Sequence, residues 1–162
     1  ANAYFNEVVS QYTEMKQEAK NLPNKPSVFS GMMYADTWYM PANGSFGAKL
    51  LRDAGGDYNV ADKNKTGSAA FSFEDVLKNH QHSQFWFNVE FPTKKQVIQL
   101  NAKYRYFDAY KNNNIYTYAS KMNEFWENSA AEPHFVLSDY IQIMHAGEVE
   151  KKPLHYYQRI EE

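Results

Sequence analysis

Three short apolar runs, at Ser27–Met33, Phe85–Val89 and Ile115–Tyr118, are separated by stretches that pattern as amphipathic helix. Strands joined through helices form right-handed crossovers, and these build a parallel sheet covered by helices on both faces. The expected fold class is therefore α/β: a small three-layer lobe with a mainly parallel sheet. In such sheets, ligands sit in the crevice at the carboxyl ends of the strands. Two segments that leave strand ends, Tyr34–Asn43 and Ala119–Trp126, carry many large side chains and are read as loops. They are the first places to look for function.

The helical patterns carry their own boundary signals. Tyr4, Phe5, Val8, Val9, Tyr12, Met15 and Ala19 recur at helical spacing over residues 1–20, and Asn21 to Pro26, with two prolines, ends that helix. Ser45 is placed to cap a helix whose Phe46, Leu50, Leu51 and Ala54 share a face, with Gly55-Gly56 closing it. Ser72-Phe73-Glu74-Asp75 resembles a capping box that opens a helix through Lys78. A longer helix is expected from Pro92 or Thr93 to about Lys111, and Pro133 opens a last one through His145. Tyr58–Val60 could pair at a sheet edge, and Asp62 to Ser68 patterns as a polar loop.

Composition removes several function classes. The chain has 162 residues and a formal charge of −2 with no basic block, which argues against a phosphate-reading nucleic-acid protein. Its 3 Trp, 13 Tyr and 11 Phe argue against disorder. Zero cysteines exclude disulfides, thiolate metal sites and a cysteine nucleophile. No run approaches the roughly 18 apolar residues of a membrane span. The first residues lack the basic-then-apolar pattern of an export signal.

The usual catalytic strings G-x-S-x-G, H-E-x-x-H, G-x-x-x-x-G-K and G-x-G-x-x-G are absent. His80-x-His82 lacks a third ligand near in sequence and reads as a solvated helix end, so no metal site is expected. Asn43-Gly-Ser and Asn64-Lys-Thr match the glycosylation tripeptide at a length where chance matches are common. Exposed aromatics at a strand end favour contact with a ligand, which points to Trp38, Tyr39, Phe125 and Trp126. On residue chemistry alone, Glu74 is an acidic side chain that suits the first turn of a helix.

Four stretches carry a resemblance. They are Lys25-Pro-Ser-Val-Phe; Trp38-Tyr-Met-Pro-Ala-Asn-Gly-Ser-Phe46 with Leu50-Leu-Arg-Asp-Ala-Gly-Gly56; Phe71-Ser-Phe-Glu-Asp-Val-Leu77; and Pro133-His-Phe-Val-Leu-Ser-Asp139 with Ile141 to His145 and Tyr156-Tyr157. In order and spacing, over about residues 25–157, they resemble the carboxy-terminal lobe of the iron-siderophore and cobalamin periplasmic binding proteins of ABC importers. That resemblance implies two lobes joined by a long helix, with the ligand clamped between them. Residues 1–21 would be the end of the connecting helix and residues 22–162 the substrate-binding lobe. The amino-terminal lobe and the export signal would be absent from this chain.

By the same resemblance, the cleft face includes Trp38, Tyr39, Asn43, Ser45, Phe125 and Trp126, and Glu74 docks the membrane permease. The ligand would be a metal chelate (ferric siderophore, haem or cobalamin), whose metal needs no protein ligand, so no cofactor is expected. The location would be periplasmic or extracytoplasmic, with lipid anchoring through a missing amino terminus as one form. Asn43-Gly44 stands where many relatives have a glycine pair, and His80-Gln81-His82 has no counterpart. The candidate loops hold no arginine cluster for an anionic chelate. Either the other lobe supplies one, or the ligand is flatter and more neutral. The rival reading is an α/β enzyme on a glycan or small molecule that uses Asp36, Glu74 or Glu127 as acid or base. A third is a protein-binding module presenting a flat aromatic patch.

Overall fold

The computed structural model describes residues 1–61 and 65–162. Residues 62–64, where the expected polar loop begins and Asn64 falls, lie outside that description. The elements run α1 (Asn2–Lys20), β1 (Val28–Ser30), β2 (Met33–Tyr34), β3 (Thr37–Pro41), α2 (Phe46–Asp53), β4 (Ser68–Phe71), α3 (Phe73–His80) and β5 (Phe85–Val89). They continue with α4 (Lys94–Leu100), a 3-10 turn (Ala102–Tyr106), α5 (Asp108–Lys111) and β6 (Ile115–Thr117). A second 3-10 turn (Ala119–Lys121) leads into α6 (Met122–Asn128), α7 (Pro133–Met144) and β7 (Gln158–Arg159).

The main sheet has the order β1-β5-β6-β7, parallel from β1 to β6 and antiparallel at β7. Its three parallel strands are the three apolar runs of the sequence, β5 with the expected bounds and β1 and β6 shorter. The mixed α/β architecture with a mainly parallel sheet is the one expected. Ser45 Oγ accepts from the Ala48 N–H, so that cap forms as read, and Ser72 Oγ accepts from the Asp75 N–H, the serine half of the expected capping box. Each such cap stabilises its helix by about 1 kcal/mol.

Four local expectations are corrected. Tyr34–Pro41 is not an irregular loop: β2, β3 and β4 form a second, antiparallel sheet. Ala35 and Asp36 are the two-residue turn between β2 and β3, with Ala35 at φ +54°. Neither residue is the glycine or asparagine that usually signals such a turn. The single helix expected to about Lys111 is broken into α4, a 3-10 turn and α5, because Asn101 is extended and its side chain caps Lys103. Phe125 and Trp126 lie on helix α6, not on a loop. Tyr58–Val60 forms no strand, and the edge bridge falls one residue earlier, between Ser27 and Asp57.

Six aromatic rings make the centre of the core. Trp38 lies 5.7–6.1 Å by ring centroid from Phe29, Phe73, Trp86, Tyr104 and Phe107. Strand β1 ends at Ser30, and the chain turns at Gly31. The Trp38 indole donates to the Ser30 carbonyl (2.9 Å) and the Trp86 indole to the Gly31 carbonyl (2.8 Å). Gly31 has φ +89°, and a Cβ there would lie 2.5 Å from the Tyr39 carbonyl oxygen. A side chain is excluded on both counts.

Helix α1 packs on α7 and α2. Of its apolar stripe, Val8 and Ala19 are buried, while Tyr4, Phe5 and Val9 are exposed. The amino-terminal half of the stripe instead lines a groove with Phe46, Ala130 and Pro133. Asp139, fully buried on α7, accepts from the backbone N–H groups of His155, Tyr156 and Tyr157 at 2.7–3.0 Å. It straps the last segment of the chain onto the lobe. Burial pushes its carboxyl above the usual carboxylate range, and the three N–H donors oppose that shift.

Candidate functional site

A cleft of about 510 Å³ opens at the carboxyl ends of β1, β5 and β6. That is the position the strand order dictates. Ser30 and Asn88 enter its lining from β1 and β5, and Gly31, Glu90 and Tyr118 from just after β1, β5 and β6. Tyr34 and Tyr39 come from the small sheet, Phe46 from α2, and Phe125 and Trp126 from α6.

The walls are aromatic. Tyr118 and Phe125 stack almost parallel at 4.3 Å and 7°. Trp126 stands edge-on to both, at 5.9 and 5.6 Å. Trp126 is 64% exposed, and Tyr39, also in the lining, is 48% exposed.

The polar groups of the floor are occupied by one another. The β5–β6 register shifts between Trp86 and Val89, and Asn88 inside that irregularity has φ +65°. An asparagine tolerates this left-handed backbone better than most residues. The Asn88 amide donates to Ser30 Oγ (2.7 Å) and accepts from the Tyr157 hydroxyl (2.6 Å). Tyr157 and Tyr140 share a hydroxyl–hydroxyl bond of 2.9 Å. Burial pushes the hydroxyls of Tyr140, Tyr157 and Tyr118 above the usual phenol range, and Glu90 adds to the shift at Tyr118. All three stay protonated near neutral pH. The Tyr118 hydroxyl points at Glu90 Oε1 at 3.5 Å.

The structure brings together Tyr39, Phe125 and Trp126 and separates them from the other residues named from the sequence. Trp38 is removed from the cleft: with 0% exposure it belongs to the core. The cause is the alternation of β3, which sends Trp38 and Met40 inward and Tyr39 outward. Asn43 braces a loop, accepting from the Val60 N–H and donating to the Val60 carbonyl and to Asn59. Ser45 is the cap of α2. Neither lines the cleft. Glu74 sits in the first turn of α3 with its side chain 74% exposed, 3.8 Å from Lys103 Nζ.

Asp36, Glu74 and Glu127 are all exposed, and none lines the cleft. His80 is not solvated as expected. It is buried, stacked on Phe29 at 5.4 Å, and burial lowers its pKa. His82 is exposed and pairs with Asp108 at 2.9 Å. Among the described residues, no three His, Cys, Asp or Glu side chains group as a metal site. Likewise, no helix is long and apolar enough to cross a membrane.

Several lining residues escaped the sequence reading. Glu90 and Tyr118 directly follow or end recognised strands, so the strand-end rule would have found them. Phe46 reads as an inward helix position but lies on the cleft side of α2, half-exposed. Nothing in the sequence marks Asn88.

The sequence profile of the periplasmic binding protein family matches residues 1–122. An uncharacterized lipoprotein of Methanocaldococcus jannaschii is 26% identical over 97% of this chain and 37% of its own length. The TroA-like periplasmic binding protein FepB of Veillonella parvula superposes with a TM-score of 0.67 at 11% identity, over 98% of this chain and 56% of that one. The siderophore periplasmic binding protein from the fuscachelin gene cluster of Thermobifida fusca gives 0.56 at 10% identity, over 90% and 51%. The chain thus spans little more than a third of the lipoprotein and about half of either solved structure. The chain belongs to the periplasmic binding protein family.

Proposed function

We propose that this chain is the carboxy-terminal lobe of a solute-binding protein that captures a metal chelate between two lobes and delivers it to an ABC permease. Residues 22–162 form the lobe and residues 1–21 end the connecting helix. The observation that carries this reading is the aromatic cleft at the ends of β1, β5 and β6, whose wall holds Tyr39, Phe125 and Trp126. Such walls bury a large flat or greasy ligand, and a few polar groups orient it. The metal arrives inside its chelator, so the protein need supply neither a metal ligand nor a cofactor. The uncovered amino-terminal half of α1 suits a helix that continues its packing against a second lobe. Capture takes place outside the cytoplasm, with the protein tethered through a lipid, in keeping with the lipoprotein relative.

Exposed Glu74 is the permease-docking knob on this lobe, where a charge-assisted pair with a basic side chain would orient the complex. Glu74→Ala should then lower uptake by a reconstituted transporter while leaving chelate affinity unchanged.

The test of capture is fluorescence titration of this chain joined to its upstream sequence, with ferric siderophores, haem and cobalamin. Trp126 is the reporter, since Trp38 and Trp86 are buried. Saturable quenching by one chelate, lost in Trp126→Phe, supports capture. Quenching by none of them in a folded protein sinks it.

A further inference from the structure

The charge of the ligand is written in the same cleft. Among its described lining residues Glu90 is the one with a formal charge, and no lysine, arginine or histidine faces the space. The amide of Asn88 and the hydroxyls of Tyr140 and Tyr157 are committed to each other and to Ser30. The other side-chain donors in the lining, the hydroxyls of Tyr34, Tyr39 and Ser129 and the Trp126 indole N–H, carry no charge. The Tyr118 hydroxyl is turned toward Glu90. The remaining wall presents Tyr34, Tyr39, Phe46, Phe125 and Trp126, whose ring faces carry negative potential and attract cations. A carboxylate beside several aromatic faces is a cation-selecting arrangement. A trianionic chelate would meet repulsion from both.

We propose that this lobe selects the positively charged end of its ligand, with Glu90 as the selecting residue. The ligand class is a chelate or other flat molecule that turns an ammonium or similar cationic group into the space between Glu90 and Trp126. This deepens the capture reading above and rests on it.

The test uses three ferric linear trihydroxamates with one iron-binding core and different ends: a free ammonium, its acetamide and its succinamic acid. They are titrated at low ionic strength into this chain joined to its upstream sequence, and into the Glu90→Gln variant of the same protein. The cationic form should bind about tenfold more tightly than the anionic one, with the acetamide between them. Glu90→Gln should shrink that spread to about twofold, chiefly by weakening the cationic form. Trp126→Ala should weaken all three and preserve their order.

Tightest binding by the anionic form, or an unchanged spread in Glu90→Gln, overturns the charge assignment and leaves chelate capture standing. A cationic xanthene dye and its anionic counterpart serve as the second arm. If no chelate of any class binds, but the cationic dye does so through Glu90, the charge assignment holds and chelate capture fails. If neither chelates nor cationic dye bind, both are overturned.

Discussion

Two aromatic clusters in this lobe are built from the same residue types and do opposite work. Around Trp38, six rings close on one another and both indole N–H groups are spent on the carbonyls of Ser30 and Gly31. Around Trp126, Tyr118 and Phe125 stack, and the indole is left open to the cleft. The difference lies in the elements that carry them. Trp38 is on a strand, where each residue alternates sides and a buried neighbour fixes its side. Trp126 is on the short helix α6, which buries none of its own residues. An aromatic side chain near a strand end therefore says little about a ligand until its element is known.

The sharpest way to break this comparison is to truncate both tryptophans. Trp38→Ala removes a packed indole and leaves the Ser30 carbonyl without its donor, so it should cost about 3–5 kcal/mol in denaturant unfolding. Trp126→Ala should change the same measurement by less than about 0.5 kcal/mol, while weakening ligand quenching. Equal costs for the two would mean that α6 belongs to the core.

Gly31→Ala tests the turn that brings the first cluster to the second. It combines a backbone strain of about 1–3 kcal/mol with a clash against the Tyr39 carbonyl. The melting temperature should fall, and the cleft should lose affinity with it, because Tyr39 must shift. An unchanged melting temperature would show that β2 and β3 can slide apart freely.

A smaller effect is expected from His80, at the edge of the buried cluster. Burial holds its pKa below 6.5, so as pH falls through that value the unfolded chain takes up a proton that the folded chain refuses. Stability contributed by the neutral ring is complete above about pH 6.5 and is lost progressively below it. His134 shifts in the same direction, again chiefly through burial. Urea midpoints taken from about pH 7.5 to about pH 5 should decline, and His80→Gln should flatten that decline. An identical slope in the variant would assign the decline elsewhere.

The parallel sheet was legible because Val28–Ser30, Phe85–Val89 and Ile115–Thr117 are apolar runs that need no partner information to be recognised. Both serine caps were legible because a single side chain makes each bond. The small sheet was not, since its turn at Ala35-Asp36 carries no glycine and β4 contributes only Ser68–Phe71. The cleft was half legible. Tyr39, Phe125 and Trp126 could be named from their place near strand ends, although the element carrying the last two was misread. Trp38 could not be told from them without the pairing of β3. Asn88 joins the floor through an irregular register and a left-handed backbone, and both arise from tertiary packing.

The bond from Tyr157 to Asn88 also sets a timetable. The floor of the cleft joins β1 and β5 to a side chain made some seventy residues after β5, and the Asp139 strap that positions it closes only when His155 to Tyr157 exist. A nascent chain emerging residue by residue therefore has strands and helices long before it has a finished pocket. Any ligand that needs the finished floor would have to wait until His155 to Tyr157 had locked in place.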